Sequence, residues 1–143
     1  MRISDVIGAK ASKDVITISP DASVRDLIRL LAEHNVGALI VSGDGSGVDG
    51  IVSERDVVRR LLESDDILDG RVAAIMTADV ATAGPDTSLD EMRTLMTERR
   101  IRHVPVVTDG ALTGIISIGD VVKAAMNQLQ FERDQLDSYL HQT

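Results

Sequence analysis

The stretch Val15-Ile16-Thr17-Ile18-Ser19-Pro20-Asp21-Ala22-Ser23 returns later in the chain as Val80-Ala81-Thr82-Ala83-Gly84-Pro85-Asp86-Thr87-Ser88. A second pair of matching stretches follows, Gly50-Ile51-Val52-Ser53 and Gly114-Ile115-Ile116-Ser117, each with an aspartate three residues after its serine. One copy of such a unit cannot bury its apolar side alone, so two copies pack against each other. Two related clefts then form at the seam, and we expect the function to lie there.

Each copy is predicted to fold as strand, helix, strand, strand and helix, which makes the fold class α/β (α+β). Ser23 and Ser88 are predicted to be the N-caps of the first helices. The later strands are apolar almost throughout, as in sheets that helices cover. In the first copy we predict strands at 15–18, 38–42 and 48–53 and a closing helix at 54–63; in the second, strands at 104–107 and 112–117 and a closing helix at 118–126.

We divide the chain into a first repeat with its lead-in (1–66), a second repeat (67–126) and a helical tail (127–143). The lead-in around Ile3-Ser4-Asp5-Val6-Ile7 looks duplicated in Val72-Ala73-Ala74-Ile75-Met76, and 64–70 is an acidic linker. The tail carries apolar residues at helical spacing, interrupted by Arg133. We expect it to pack on the module or on a second subunit.

The composition excludes several classes of function. A net charge of −8 argues against nonspecific binding to nucleic acid or to anionic membranes. Without cysteine the chain has no disulfide framework and no thiolate nucleophile. No apolar run is long enough to cross a bilayer and the first residues do not resemble a signal peptide, so we predict a cytoplasmic protein. Phe131 and Tyr139 are the only aromatic residues, so a planar ligand held by the repeats must sit between aliphatic side chains.

The duplicated Ser-x-x-Asp, at Ser53/Asp56 and Ser117/Asp120, has two interpretations. It is a capping box, in which the serine and the aspartate satisfy backbone N–H groups at the start of a helix. It also suits a nucleotide, because a helix N-terminus and a hydroxyl bind phosphate while the carboxylate accepts from ribose hydroxyls. The sequence leaves both open.

The segment Arg99-Arg100-Ile101-Arg102-His103 concentrates positive charge in an acidic chain. We interpret Arg99 and Arg100 as a solvated helix end. Arg102 and His103 lead into a buried strand, where a charge needs a partner, and arginine is suited to clamp phosphate oxygens. The matching stretch Val36-Gly37-Ala38 has no charge, so we expect the two clefts to differ in affinity for phosphate.

Other residues carry weaker signals. Arg55 is interpreted as a ligand contact, whereas Arg59 and Arg60 are interpreted as solvated. His34 and His141 are interpreted as surface residues. The sequence shows no spaced metal-ligand set and no arrangement of nucleophile and base. A binding protein is therefore favoured over an enzyme.

Taken in their order, these motifs resemble the cystathionine-beta-synthase (CBS) domain family, in the tandem arrangement called a Bateman module. The resemblance covers about residues 1–125. Within the family, the motifs are similar to those of small stand-alone CBS-pair proteins. The residues that carry it are Thr17-x-x-Pro20-Asp21, Thr82-x-x-Pro85-Asp86, Ser53-Glu54-Arg55-Asp56, Ile75-Met76-Thr77, Arg100-Ile101-Arg102-His103-Val104-Pro105-Val106 and Ser117-Ile118-Gly119-Asp120. The first repeat departs from the pattern, with Ile40 in place of the proline at Pro105.

The resemblance implies a pseudo-twofold module in which each cleft takes its ribose-binding aspartate from one repeat and its other walls from the other repeat. One site would use Ser53, Arg55, Asp56, Thr77, Val80, Ala81, Ile101, Arg102 and His103. The other site would use Ser117, Asp120, Ile16, Val36, Gly37 and Ala38.

The function implied is a non-catalytic regulatory sensor that binds AMP, ADP or ATP in these clefts, or, as in some members of the family, NAD(H) or S-adenosylmethionine, with no required cofactor or metal. The resemblance also implies a homodimer formed by antiparallel or parallel pairing of two CBS modules into a flat disc. Since no enzyme, channel or transporter domain is attached, we expect an unknown protein to be regulated in trans. Two alternatives remain open. One is a partner-binding scaffold with vestigial clefts, and the other is a phosphate-cleaving enzyme.

Overall fold

The computed structural model describes residues 1–10 and 14–141, which form five α-helices and five strands. The elements are α1 (Ile3–Ala9), β1 (Thr17–Ile18), α2 (Val24–His34), β2 (Ala38–Val41), β3 (Gly50–Ser53), α3 (Glu54–Leu61), α4 (Leu89–Arg99), β4 (His103–Thr108), β5 (Ala111–Ser117) and α5 (Ile118–Leu140). Short 3-10 helices at Asp65–Asp69, within the predicted acidic linker, and at Val72–Ala74 connect the repeats. The mixed α/β fold predicted from the duplicated pattern is confirmed.

Each repeat has its own small sheet. In the first repeat β1 runs parallel to β2, and β2 pairs antiparallel with β3, so that Ala38 lies opposite Ser53. In the second repeat β4 pairs antiparallel with β5, and His103 lies opposite Ser117. The matching registers bring the start of a middle strand beside the serine that opens the closing helix in both repeats.

The first strand predicted for the second repeat is absent as a regular strand. A single parallel bridge between Ala83 and Val106 takes its place. The physical reason lies in composition, because in Val80-Ala81-Thr82-Ala83 two alanines replace the isoleucines of Val15-Ile16-Thr17-Ile18, so the segment has less β-branched bulk. The two repeats therefore share the same order of elements, but the first has a three-stranded sheet and the second a two-stranded one.

The lead-in segments exchange places between the repeats. Ile3 and Val6 of α1 belong to the buried core of the second repeat, with Met92, Val104 and Ile116 among its other members. Val72 and Ile75, from the lead-in of the second repeat, belong instead to the core of the first. Each hydrophobic core thus contains chain from both sequence repeats, which ties the two halves together.

The helix caps follow the sequence. The Ser88 hydroxyl accepts from the Glu91 N–H at 3.0 Å, and the Glu91 carboxylate accepts from the Ser88 N–H at 3.2 Å. Ser23 accepts from the Asp26 N–H at 3.0 Å. Both serines are N-caps, as predicted.

The tail is not a separate helix that packs on the module. α5 runs without a break from Ile118 to Leu140, and residues 142 and 143 of the predicted tail lie outside the described residues. Val121 and Ala124 anchor its first turns in the core of the second repeat. Every described residue from Leu129 onward is exposed. From Leu129 onward the tail therefore does not pack on its own module, and packing on a second subunit, the other position expected for it, stays a prediction.

Candidate functional site

Two cavities open at the seam between the repeats. We name the first, of about 710 Å³, the arginine cleft. Its walls come from both repeats, because the start of α3 faces the segment before α4 and the loop before β4. The lining residues are Gly37, Ala38, Ile51, Ser53, Glu54, Arg55, Asp56, Val58, Arg59, Thr77, Asp79, Val80, Ala81, Arg99, Arg100, Ile101, Arg102 and His103.

The second cavity, of about 590 Å³, is the lysine cleft. Many of its lining residues are the repeat equivalents of residues in the arginine cleft: Asp120 matches Asp56, for instance, and His34 matches Arg99. The chemistry differs, because two lysines and no arginine line this cleft, while each cleft has three carboxylates. The lining residues are Met1, Asp5, Val6, Ala9, Lys10, Asp14, Ile16, His34, Val36, Ala38, Leu39, Ile115, Asp120, Lys123, Ala124 and Asn127.

The structure brings together all nine residues that the resemblance assigns to one site. They are Ser53, Arg55, Asp56, Thr77, Val80, Ala81, Ile101, Arg102 and His103, and each lines the arginine cleft. They come from three segments of the chain, 53–56, 77–81 and 101–103. That clustering depends on the pairing of the two repeats and not on any single motif.

The six residues assigned to the other site are brought together less completely. Ile16, Val36, Ala38 and Asp120 line the lysine cleft, and Ala38 borders both clefts. Gly37 lines the arginine cleft instead, because its carbonyl accepts from the Glu54 N–H at 3.0 Å at the start of α3. Ser117 is half-buried beside Asp120 but does not line the cavity.

Both Ser-x-x-Asp motifs form capping boxes. Asp56 Oδ2 accepts from the Ser53 N–H at 2.8 Å and from its hydroxyl at 3.1 Å. Asp120 Oδ2 accepts from the Ser117 N–H at 2.9 Å. In each motif the cap engages the Oδ2 atom, and no donor within the described chain bonds Oδ1. The cap therefore orients each carboxylate and leaves one oxygen for a further donor.

The arginines of the arginine cleft differ from the other arginines of the chain in having no carboxylate partner. Seven arginines elsewhere in the described residues each form an ion pair. None of the five that line this cleft does so within the described residues, although the chain carries a net charge of −8. Three carboxylates share the lining with these five guanidinium groups, so the cleft is locally positive. Such a cavity attracts an anion.

Arg100 has a backbone conformation that few residues adopt. It ends α4 with a φ of 53°, in the left-handed region, at the position where Asn35 ends α2 with a φ of 52°. Asparagine tolerates this region better than arginine, and glycine better still. Backbone strain of this kind concentrates at functional sites. The cost is consistent with a role for the guanidinium in the cleft.

His103 lies half-buried at the start of β4 in the arginine cleft. Burial lowers the pKa of His103 below its ordinary value of 6.5, and this outweighs the opposing field of Asp120. The ring is therefore neutral near pH 7 and can act as a hydrogen-bond donor or acceptor.

Asp120 in the lysine cleft has a cationic partner. Lys10 Nζ lies 2.9 Å from Asp120 Oδ2. Burial pushes the pKa of Asp120 upward, but the hydrogen bonds from Ser117 and from Lys10 outweigh burial and leave that pKa below its ordinary value. The carboxylate is thus ionised and locally neutralised.

Sequence reasoning missed several lining residues. Arg59, Arg99, Arg100 and His34 are exposed, as interpreted from the sequence, but each of them also lines a cleft, which the sequence did not indicate. A signal existed for Arg100, because alignment of the repeats places it at the helix-ending position of Asn35. No signal existed for Lys10, whose contact with β5 spans 105 residues of chain.

Neither a metal centre nor a membrane span is found in the part of the chain that the structure describes. No group of three histidine or acidic residues there is placed to hold a metal ion. Similarly, no helix among residues 1–10 and 14–141 has the length and apolar character needed to cross a membrane.

The sequence and the fold of this chain are similar to those of known proteins. A family model described as "CBS domain" matches residues 3–63 and again residues 72–127. The chain belongs to the CBS domain family. The family was predicted from the motifs, and it is confirmed. Each CBS domain contributes one Ser-x-x-Asp motif to the seam.

Relatives of this CBS pair include small proteins of similar architecture. It is 35% identical over 146 residues to "CBS domain-containing protein CBSX3, mitochondrial" of Arabidopsis thaliana, covering 96% of this chain and 71% of that protein. A putative signal-transduction protein with CBS domains from Burkholderia ambifaria is 41% identical, with a TM-score of 0.84 over 89% of this chain and 95% of that one.

A second solved structure carries ligands. The CBS domain pair of protein MJ0100 was solved in complex with 5′-methylthioadenosine and S-adenosyl-L-methionine. It is 26% identical to this chain, with a TM-score of 0.76 over 87% of this chain and 98% of that chain. Both of its ligands contain adenosine.

Proposed function

We propose that this CBS pair is a non-catalytic regulatory module that binds an adenine nucleotide in the arginine cleft. The observation that carries the proposal is the set of five arginines that have no carboxylate partner in the described chain. In an acidic protein, guanidinium groups that face an open cleft without carboxylate partners favour an anionic ligand.

Three groups of residues suit the three parts of the proposed ligand, which are phosphate, ribose and base. The arginines and the N-terminus of α3 favour phosphate, since both present N–H donors to its oxygens. The unbonded oxygen of Asp56 suits a ribose hydroxyl. Half-buried Ile51, Val80, Ala81 and Ile101 offer aliphatic surface for a base.

An adenosine ligand is supported by the relative whose CBS pair was solved with two adenosine compounds. The number of arginines favours a ligand with phosphate, hence AMP, ADP or ATP over an uncharged nucleoside. NAD(H) also contains adenosine and phosphate and belongs in the same test. No cofactor is required in this proposal.

The regulatory output rests on closure of the seam. A nucleotide that contacts both repeats stabilises the arrangement in which they are close, and it shifts a population only if it binds the two arrangements unequally. We propose that the closed arrangement is recognised by another protein in trans. The predicted cytoplasmic location stays a prediction, since the Arabidopsis relative is named as mitochondrial.

We also propose a homodimer, formed through the exposed apolar seam of α5. The seam repeats at alternating spacings of four and three residues, with one interruption at Arg133. Spacing of this kind is typical of helices that pair along their length. Its residues are Val122, Met126, Leu129, Leu136 and Leu140, all exposed.

Charge favours an antiparallel pairing of the two α5 helices. In a parallel pair Arg133 would face Arg133 of the partner, and Glu132 would face Asp137. In an antiparallel pair with Arg133 opposite Leu129, Lys123 lies opposite Asp137 of the other copy, which gives two attractive contacts against a single repulsion between the two copies of Glu132. The second copy of this chain is therefore the partner that the surface fits.

The nucleotide proposal predicts a specific pattern of binding loss. We expect the substitutions Arg102→Ala and Asp56→Ala each to weaken AMP binding about tenfold or more, because each removes a charge-assisted hydrogen bond worth about 1.5–3 kcal/mol. Isothermal titration calorimetry with AMP, ATP, NAD and GMP measures the affinities.

The control is Arg93→Ala, which removes an exposed arginine of α4 that pairs with Asp90 outside the cleft. It should leave the affinities unchanged. Unchanged affinity in the Arg102 and Asp56 variants, or equal binding of GMP and AMP, would contradict the proposal.

A further inference from the structure

In the lysine cleft the ammonium group of Lys10 contacts Asp120, whereas the equivalent Asp56 of the arginine cleft has no cationic partner in the described chain. Lys10, which ends α1, donates to Asp120 Oδ2 and to the Ile115 carbonyl, both at 2.9 Å. The two side chains are only 24% and 20% exposed. The contact is therefore shielded from solvent and resists screening by salt better than a surface ion pair.

The equivalent residues of the other repeat are arranged differently. Asp56 accepts only from its own cap residue, Ser53, and no ion pair to Asp56 is found among residues 1–10 and 14–141. The Ile51 carbonyl, which matches that of Ile115, accepts from the Thr77 N–H at 2.9 Å. A backbone N–H thus occupies this carbonyl in one repeat, and a lysine ammonium in the other. Only the ammonium also reaches the aspartate.

This difference affects a ligand that carries a ribose. Ribose hydroxyls would donate to the aspartate, and an ammonium at 2.9 Å already donates to it and neutralises its charge. A ribose hydroxyl can still reach Asp120 Oδ1, but it meets a carboxylate whose charge Lys10 already offsets, so its hydrogen bond is weaker than one to Asp56. A ligand that used both carboxylate oxygens would have to displace Lys10 and leave a mostly buried cation without a partner. Either way, binding in the lysine cleft is weaker.

We infer that Lys10 is a specificity-determining residue that reserves adenine-nucleotide binding for the arginine cleft. The inference rests on the proposed function and adds the number of ligands: one nucleotide per chain, although the fold builds two clefts. Lys10 lies on the lead-in helix that packs against the second repeat, so the exchange of lead-ins delivers it to this cleft.

Equilibrium dialysis with radiolabelled AMP, repeated with ATP, tests the inference by counting ligands per chain. Lys10→Met removes the ammonium and keeps the apolar stem, and Lys10→Gln keeps a donor for the Ile115 carbonyl in case the methionine variant does not fold. Lys123→Met is the matched control, since it removes a lysine that lines the same cleft without forming an ion pair in the described chain. Arg102→Ala combined with Lys10→Met isolates the lysine cleft.

We expect one equivalent of nucleotide for the wild type and for Lys123→Met, and a second equivalent for the Lys10 variants, tightened about tenfold or more relative to any second binding by the wild type. The double variant should retain one equivalent. Two equivalents of similar affinity in the wild type, or one equivalent in every folded Lys10 variant, would overturn the inference while leaving the proposed function intact. No binding to any protein would overturn both.

Discussion

At the scale of single residues, the matching glycines Gly50 and Gly114 differ in how much a substitution by alanine should destabilise the fold. A methyl group on Gly50 would lie 2.7 Å from the Thr77 carbonyl oxygen, whereas on Gly114 it would lie 2.8 Å from the Cδ1 atom of Ile7. In both repeats the glycine makes room for the exchanged lead-in. A backbone oxygen cannot move aside as the end of an isoleucine side chain can.

Gly50→Ala is therefore expected to destabilise the fold by about 1–3 kcal/mol through overpacking, and Gly114→Ala by less. Urea unfolding followed by circular dichroism gives both free energies of unfolding. Because Thr77 lines the arginine cleft, Gly50→Ala should also weaken AMP binding. Equal destabilisation by the two substitutions would show that the exchanged lead-ins are not held as the structure has them.

His103 predicts a pH dependence of stability. Burial holds its pKa below 6.5, so the unfolded chain binds more protons than the folded protein as the pH falls toward and below 6.5. The stabilising contribution is complete above pH 6.5 and is lost as the pH falls through the folded-state pKa. Asp120 has a lowered pKa too, but its contribution is lost only below its ordinary value of 3.8. The two effects occupy separate pH ranges.

We expect the thermal midpoint of the ligand-free protein to fall between pH 7.5 and pH 5.5, and the fall to be smaller in His103→Gln. His34→Gln, at the exposed end of α2, is the control and should keep the wild-type dependence. Differential scanning calorimetry in buffers of constant ionic strength measures the midpoints. An identical slope in all three proteins would contradict a buried, neutral His103.

At the scale of elements, the two ends of α5 have different surroundings. Its first turns are held by the core of the second repeat, and its later turns extend beyond the module. An isolated amphipathic helix gains most of its stability from packing of its apolar face. The exposed seam therefore suits a partner helix, which in the proposed homodimer is the α5 helix of a second copy of the chain.

Leu129→Glu with Leu136→Glu is expected to abolish self-association without unfolding the module, because the two leucines are 66% and 59% exposed in the single chain. Arg133→Leu should strengthen self-association by completing the seam. Sedimentation equilibrium measures both effects. Phe131→Glu is the control: this residue is 61% exposed but lies on the opposite face of the helix. A dimer that survives the double substitution, or is lost equally in the control, would rule out pairing along this seam.

At the scale of the whole molecule, the exchange of lead-ins makes each half dependent on the other. α1 completes the second core, and the segment around Val72 completes the first. The clefts lie between the halves that are joined in this way. A ligand that contacts both sides of a cleft therefore acts on the relative position of two cores and not on one loop.

Repetition in the sequence explains how much of this could be predicted. The helix caps at Ser23 and Ser88, the strand pairs and the closing helices follow from local spacing, since capping and apolar periodicity act over a few residues. The family followed from the same motifs in order. Nine residues of one site could be named because the resemblance supplied a pairing that no local pattern contains.

The remainder depended on contacts between distant parts of the chain. Composition weakened the first strand of the second repeat to a bridge at Ala83, and the lack of any covering element left the tail exposed. Whether an arginine pairs with a carboxylate or faces a cleft depends on where the fold places its neighbours. Arg93 and Arg99 lie on one helix, yet they differ in this respect.

The sequence by itself determined the duplicated α/β plan, the family and the residues that open each closing helix, because these depend on local hydrogen bonding and on burial of regularly spaced apolar side chains. Only the tertiary structure decided that the lead-ins change places, that five arginines share one cleft, and that Lys10 reaches Asp120 in the other. Those outcomes depend on which surfaces of the two similar halves pack together. That packing is set by many contacts between residues far apart in the sequence, and no local pattern reports it.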